Sequence, residues 1–147
     1  MRGYVVVNAS LAVKDVLREP YAEQPLAIAK EWAARHIRLT APWALLVEVT
    51  NGLHRRTLPE QISLFRVHRL PTAFLGLGIE IRESRQLRLR ALELAQESQQ
   101  LAIYDAHYMA LAEILDCDLF TANERFFNSI KEWQRRGRWL GQYVSGG

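Results

Sequence analysis

The chain has 147 residues, 49% hydrophobic and 24% charged, the size and balance of one compact domain with its own core, so residues 1–147 are read as a single domain. No aliphatic run approaches the ~20 residues that span a bilayer, and the short run Tyr4–Val7 has neither the length of a signal-peptide core nor a cleavage pattern after it, which points to a cytoplasmic protein off the membrane. Net charge is +3, and only Lys14, Lys30 and Lys131 are lysines. The arginines that make up the rest suit phosphate oxygens, so an anionic partner competes with ordinary surface ion pairing as their reason.

In chain order, residues 4–7 form a β-branched run that predicts a buried strand. Ala9 to Leu17 reads as helix, stopped by Glu19-Pro20. Ala22 to Arg38 reads as a second helix, with Leu26, Ala29, Ala33 and Ile37 along one face. Leu39 to Ala41 is a strand candidate closed by Pro42, and Trp43 to Arg56 is helical. Pro59 suits a helix start, Glu60 to Arg69 continues it, and Pro71 interrupts it. Leu77 to Ile81 predicts a third strand, Ser84 to Ser98 a helix, Tyr104 to Leu115 another. Asp118 to Thr121 predicts a strand, Asn123 the opening of a short helix, and Arg138 to Tyr143 a last edge strand. Strands alternating with helices imply a parallel sheet covered on both sides. In such sheets ligands bind outside the carboxyl ends of the strands, where Asn8 and Asn123 fall.

Four polar positions punctuate the apolar elements. Asn8 ends the first strand; it is either a helix N-cap, where Asn equals Asp, or a site residue, and Ser10 can share the capping. Glu48 lies in an apolar helical stretch, on a face with Ala44, Asn51, Gly52 and Arg55. Unpaired burial of its charge costs several kcal/mol by general experience, so it calls for a cation, either Arg55 or a metal with room beside Asn51 and Gly52. Asp105 heads its helix, as a cap or as a favourable charge at the positive end, yet stands in line with Tyr108, Met109 and Ala112. Thr121-Ala122-Asn123-Glu124 matches a capping box, which assigns Glu124 to structure and leaves Asn123 without a structural duty.

Together, Val7-Asn8-Ala9-Ser10, Glu48-Val49-Thr50-Asn51, Tyr104-Asp105-Ala106 and Thr121-Ala122-Asn123 resemble, in order and across nearly the whole chain, the four motifs of PIN-domain nucleases, and within them the VapC-type toxins. The resemblance implies a three-layer α/β/α fold around a parallel sheet of four or five strands. It implies metal-dependent hydrolysis of RNA phosphodiesters, with carboxylates holding Mg²⁺ or Mn²⁺. It also implies a small antitoxin partner and homodimerisation. Asn8, Glu48, Asp105 and Asn123 would be the catalytic set, Glu48 and Asp105 the matching metal ligands with Glu124 a compensating third, and Ser10, Asn51 and Thr121 the supporting groups. Arg55, Arg125, Arg135, Arg136 and Arg138 are the candidates for RNA phosphates.

The chain departs from the family at two positions, where Asn8 and Asn123 stand in place of acids. An amide neither neutralises a cation nor accepts a proton, so metal binding is expected to be weak. A natural pseudoenzyme, a weakened nuclease and a deliberate Asp-to-Asn change all remain open explanations. The alternative function is a catalytically degenerate PIN domain that binds RNA or protein without cutting. Other chemistries have thinner support. The four histidines, His36, His54, His68 and His107, lack zinc-ligand spacing, and His107 lies about 160–200° around its helix from Asp105. Gly76-Leu77-Gly78 lacks the lysine of a phosphate loop. Cys117, the only cysteine, leaves no internal disulfide, and its place between Asp116 and Asp118 at a helix-to-strand junction does not suit a nucleophile.

Overall fold

The computed structural model describes residues 3–10, 31–57, 78–99, 101–121, 123–130 and 137–139. The elements are β1 (Tyr4–Val7), β2 (Arg38–Pro42), α1 (Ala44–Thr57), β3 (Glu80–Arg82), α2 (Arg85–Glu97), α3 (Ile103–Leu115), β4 (Asp118–Thr121), α4 (Glu124–Ile130) and β5 (Gly137–Trp139). The helices expected after β1 and from Glu60 to Arg69 lie largely outside the described residues, as do the start of the Ala22–Arg38 helix and residues 140–143 of the last strand.

The five strands of the described residues run parallel in one sheet, in the order β3-β2-β1-β4-β5. β1 is central, with Val5 paired to Leu39 on one side and to Asp118 on the other. Its β-branched residues suit the pleat, and Val5, Val6 and Val7 are all buried. Successive strand residues point to opposite faces, so Val5, Val6 and Val7, buried one after another, have cover on both. Trp32 supplies part of that cover, edge-on to Phe120 of β4 at 5.2 Å between ring centroids. α3 packs across β1, β2 and β4, and α2 packs along α3. Arg90 of α2 grips Glu113 of α3 with two hydrogen bonds, of 2.6 and 3.1 Å.

The helix preceding β2 stops sooner than its periodicity suggests. Residues 31–34 are helical, His36 takes φ 57°, and Arg38 already belongs to β2. His36 N–H bonds to Ala33 O and Ile37 N–H to Trp32 O, which closes a Schellman cap around a left-handed residue. The same device ends α3: Asp116 sits at φ 51°, its N–H on Glu113 O and that of Cys117 on Ala112 O. Both helices therefore turn straight into strands without glycine. β3 starts later than expected, at Glu80, and runs to Arg82. α2 opens on Ser84, whose hydroxyl accepts from Leu87 N–H at 3.1 Å. Among the described residues no helix is long and apolar enough to cross a membrane.

Candidate functional site

In this sheet the strand order reverses about β1. The chain passes from β1 to β2 on one side, and β4 lies on the other. The carboxyl ends of β1 and β4 thus flank a topological switch point, where a crevice opens in parallel sheets. Asn8 follows β1 and Thr121 ends β4, and their side chains meet there. Asn8 is buried, and its Oδ1 accepts from Ser10 N–H at 3.0 Å, from Ser10 Oγ at 2.6 Å and from Thr121 Oγ1 at 3.3 Å. Ser10 Oγ and Thr121 Oγ1 lie 3.0 Å apart. Thr121 Oγ1 also accepts Asn123 N–H at 3.0 Å. Asn8 and Asn123 are therefore joined through one buried hydroxyl.

The capping box expected here is not the arrangement found. Asn123 is the cap: its Oδ1 accepts Phe126 N–H at 3.2 Å and its carbonyl accepts Phe127 N–H at 3.0 Å. Thr121, buried in β4, serves the chain two residues on instead of the helix three residues on. Glu124 is an exposed residue in the first helical turn. Asn123 thus has the structural duty that the sequence assigned to Thr121. Asn8 and Asn123 each accept a backbone N–H just downstream with the amide oxygen, Asn123 at the start of α4, and the oxygen of Asn8 is saturated by three donors. What remains on Asn8 is Nδ2, a donor that cannot ligate a cation.

The acids come from α1 and α3. Glu48 lies on the second turn of α1, half-buried, and its Oε1 is enclosed without a hydrogen-bond partner among the described residues. Asp105 is the third residue of α3, half-buried at the positive end of the helix. The cap position, Ala102, has no side-chain bond, so Asp105 acts as a first-turn charge and not as the cap. Between the two acids stands Tyr108, fully buried, one turn after Asp105 on α3. Its hydroxyl lies against the Glu48 carboxylate and the backbone N–H of Ala9, yet completes no hydrogen bond of normal geometry. The Tyr108 ring meets Phe126 of α4 edge-on at 6.5 Å. Tyr108 thereby connects the chain just after Asn8 with Glu48, Asp105 and α4.

Electrostatics follow from that enclosure. Burial pushes the Glu48 carboxyl above the ordinary carboxylate range, the adjacent Tyr108 hydroxyl pulls it part of the way back, and the charge of Asp105 adds a smaller upward push. Burial likewise raises Asp105. Burial and the neighbouring Glu48 charge raise the Tyr108 phenol. Two carboxylates that disfavour one another in a partly dry place, one with an orphaned oxygen, form a site that a cation would relieve.

Arg55 is not that cation. It is exposed on α1, and Glu48 Oε1 remains unpaired among the described residues. Asn51 is exposed one turn beyond Glu48. Glu124 does not close a three-acid cluster: among the described residues no three His, Cys, Asp or Glu side chains gather as a metal site. Arg125 is exposed on α4, Arg138 lies in β5, and Arg135 and Arg136 fall outside the described residues. His107 holds Ile103 O through Nδ1 at 2.7 Å. Tyr108 is the site residue that the sequence named only as part of an apolar stripe; its position one turn after Asp105 was the available signal.

Comparisons with known proteins agree with the architecture. The structure is similar to that of PAE2754 from Pyrobaculum aerophilum, with a TM-score of 0.68, 18% identity, and coverage of 94% of this chain and 91% of that one. It is also similar to VapC20 of Mycobacterium tuberculosis, a toxin that cleaves the sarcin-ricin loop, with a TM-score of 0.60, 15% identity, and coverage of 85% and 94%. At these identities the likeness is one of fold. No curated protein matches the sequence. The PIN domain family matches residues 5–132, a span that holds Asn8, Glu48, Asp105 and Asn123, and the chain belongs to that family.

Proposed function

We propose that this chain is a VapC-like ribonuclease with a reduced metal site, hydrolysing RNA phosphodiesters at the carboxyl ends of β1 and β4. The observation that carries the reading is the pairing of Glu48 and Asp105 around Tyr108, with Glu48 Oε1 buried and unsatisfied. An orphaned carboxylate oxygen beside a second acid fits a divalent cation of the hard, oxygen-seeking kind, Mg²⁺ or Mn²⁺. Glu48 and Asp105 would hold it, weakly, because Asn8 and Asn123 add no charge. When bound, such an ion supplies Lewis acidity and a more acidic water.

The chain's own groups do the rest. The buried Tyr108 hydroxyl lies against the Glu48 carboxylate. The Asn8–Ser10–Thr121–Asn123 network holds the ends of β1 and β4 together, so the acids keep their places when a polyanion approaches. Arg55 and Arg125 are exposed, and with Arg135, Arg136 and Arg138 they are the proposed phosphate contacts, whose grip would weaken steeply with salt. A small antitoxin partner, a homodimer and a cytoplasmic setting complete the VapC-like reading.

The saturated oxygen of Asn8 favours a second reading, a degenerate PIN domain that binds RNA or protein and does not cut. Cleavage of a fluorescent single-stranded RNA with and without Mn²⁺, in the chain as it stands and in Glu48→Gln and Asp105→Asn, separates the two. Mn²⁺-dependent cleavage lost in both variants supports the nuclease. RNA binding with no cleavage at any Mn²⁺ concentration supports the binding module.

A further inference from the structure

The two acids stand on separate helices that share no broad packed face. Among the described elements α1 packs chiefly on β2, whereas α3 packs on β1, β2, β4 and α2. Direct helix packing therefore does little to set the spacing of Glu48 and Asp105. One side chain crosses the interval. Tyr108 follows Asp105 by three residues on α3, so the two lie on one side of that helix, and the Tyr108 hydroxyl lies against the Glu48 carboxylate of α1. The ring that carries this hydroxyl is held: it is wholly buried and meets Phe126 of α4 edge-on.

Both atoms at that contact are unsatisfied. Tyr108 Oη and Glu48 Oε1 are enclosed, and neither completes a hydrogen bond among the described residues. They are nevertheless complementary. The backbone N–H of Ala9 faces the phenol oxygen and can only donate, so the one hydroxyl proton is left for the carboxylate, which only accepts. Buried donors and acceptors are rarely left unpaired, and here a small shift of Glu48 would pair both. The Glu48 carboxylate also bears the repulsion of Asp105, which a shared cation would remove. We propose that Tyr108 is a positioning residue of the metal site: its hydroxyl closes onto Glu48 when the two acids share a cation, and so fixes the α1 carboxylate at the spacing that α3 dictates. The inference rests on the metal-binding reading of Glu48 and Asp105 and deepens it. Tyr108 acts through Glu48 and not on the RNA.

The test separates the metal-loaded protein from the metal-free one. Mn²⁺ affinity is read from the EPR signal of the free ion, which fades on binding and follows weak sites, for the wild-type chain, Tyr108→Phe, Glu48→Asp and the two changes combined. Urea unfolding in EDTA gives the metal-free stability of each. Partners that orient metal ligands are worth about 10–100-fold in metal affinity, so Tyr108→Phe should weaken Mn²⁺ binding about tenfold or more while its unfolding midpoint in EDTA does not fall. Glu48→Asp withdraws the carboxylate from the hydroxyl by one methylene, so adding Tyr108→Phe to it should cost little further affinity. Equal Mn²⁺ affinity in wild type and Tyr108→Phe overturns the role of Tyr108 and leaves the metal reading standing. A Tyr108→Phe protein that is clearly less stable than wild type in EDTA, or fails to fold, makes the hydroxyl structural and overturns the role as well. Fully additive losses in the combined variant overturn the route through Glu48. A wild-type chain that takes up no Mn²⁺ overturns both the role and the metal reading.

Discussion

Glu48→Gln should stabilise the metal-free protein at neutral pH. Among the described residues Glu48 Oε1 is enclosed with no hydrogen-bond partner, and the carboxylate faces the charge of Asp105. An unsatisfied buried polar atom costs about 1–3 kcal/mol, and more when charged. Glutamine keeps the shape and a polar atom but removes the charge, so the part recovered is about 1–2 kcal/mol. At about 2–4 °C per kcal/mol for a domain of this size, Tm should rise by roughly 2–8 °C at pH 7.5. The pH dependence has a definite sign. Both carboxyls are held above their ordinary range in the folded state, so the unfolded chain gives up these protons at lower pH. The stability of the protonated site is fully present below the unfolded pKa values, about pH 4, and is lost as pH rises through the raised folded values. The advantage of Glu48→Gln over wild type should therefore be near zero at about pH 4 and largest at neutral pH. Mn²⁺ should raise the Tm of wild type and leave that of Glu48→Gln unchanged, because a ligand stabilises only the state that binds it. Differential scanning fluorimetry across pH, with and without Mn²⁺, measures both effects. A variant less stable than wild type at pH 7.5, or a gap that does not change with pH, would refute the account of Glu48 as an uncompensated charge.

Tyr108→Phe removes a buried hydroxyl that completes no hydrogen bond, so urea unfolding should show stability unchanged or raised, within about 1 kcal/mol of wild type; a larger loss would mean that the hydroxyl is bonded in solution. Thr121→Val deletes the acceptor of Asn123 N–H and a link to Ser10 and Asn8, and should cost about 1–3 kcal/mol, with Thr121→Ser recovering most of it in the same denaturant titration. His36→Gly relieves a left-handed residue at φ 57° and should add about 1 kcal/mol by calorimetry; a fall in stability would show that the imidazole contributes more than its backbone strain costs.

Much of this structure was legible in the chain because strong local signals agreed with the global fold. The β-branched run before Asn8, the Ala-rich stripe after Asp105 and the strand before Thr121 each have one stable use in a buried parallel sheet, and the structure puts them there. Helix ends were read less well. His36 and Asp116 terminate helices in a left-handed conformation that sequence patterns associate with glycine, so the helix before β2 was read four residues too long. The start of α4 was misassigned for a related reason. Thr121 and Asn123 both have capping side chains, and only the burial of Thr121 in β4 decides that Asn123 performs the cap. Glu48 was recognisable as a carboxylate enclosed within an apolar helical stretch. That Arg55 does not reach it depends on side-chain direction around α1, which spacing alone does not fix. Tyr108 was hidden because an aromatic on an apolar stripe looks like core packing, and its hydroxyl acquires meaning only once α1 brings Glu48 against it.

On the proposed reading, Asn8 and Asn123 keep the fold of a metal-dependent nuclease and remove charge from its site. Both use their amide oxygens to accept a backbone N–H just downstream, a bond that Asp makes equally well. Asn8→Asp combined with Asn123→Asp should therefore leave the fold intact and lower metal-free stability through repulsion with Glu48 and Asp105. The most direct measurement is the Mn²⁺-induced rise in Tm of the double variant beside that of the wild type, with RNA cleavage followed on the same samples. Mn²⁺ should stabilise the double variant more, and the double variant should cleave faster, than either single variant or the wild type. A double variant that is folded, gains no more from Mn²⁺ than the wild type and cuts RNA no faster would contradict it.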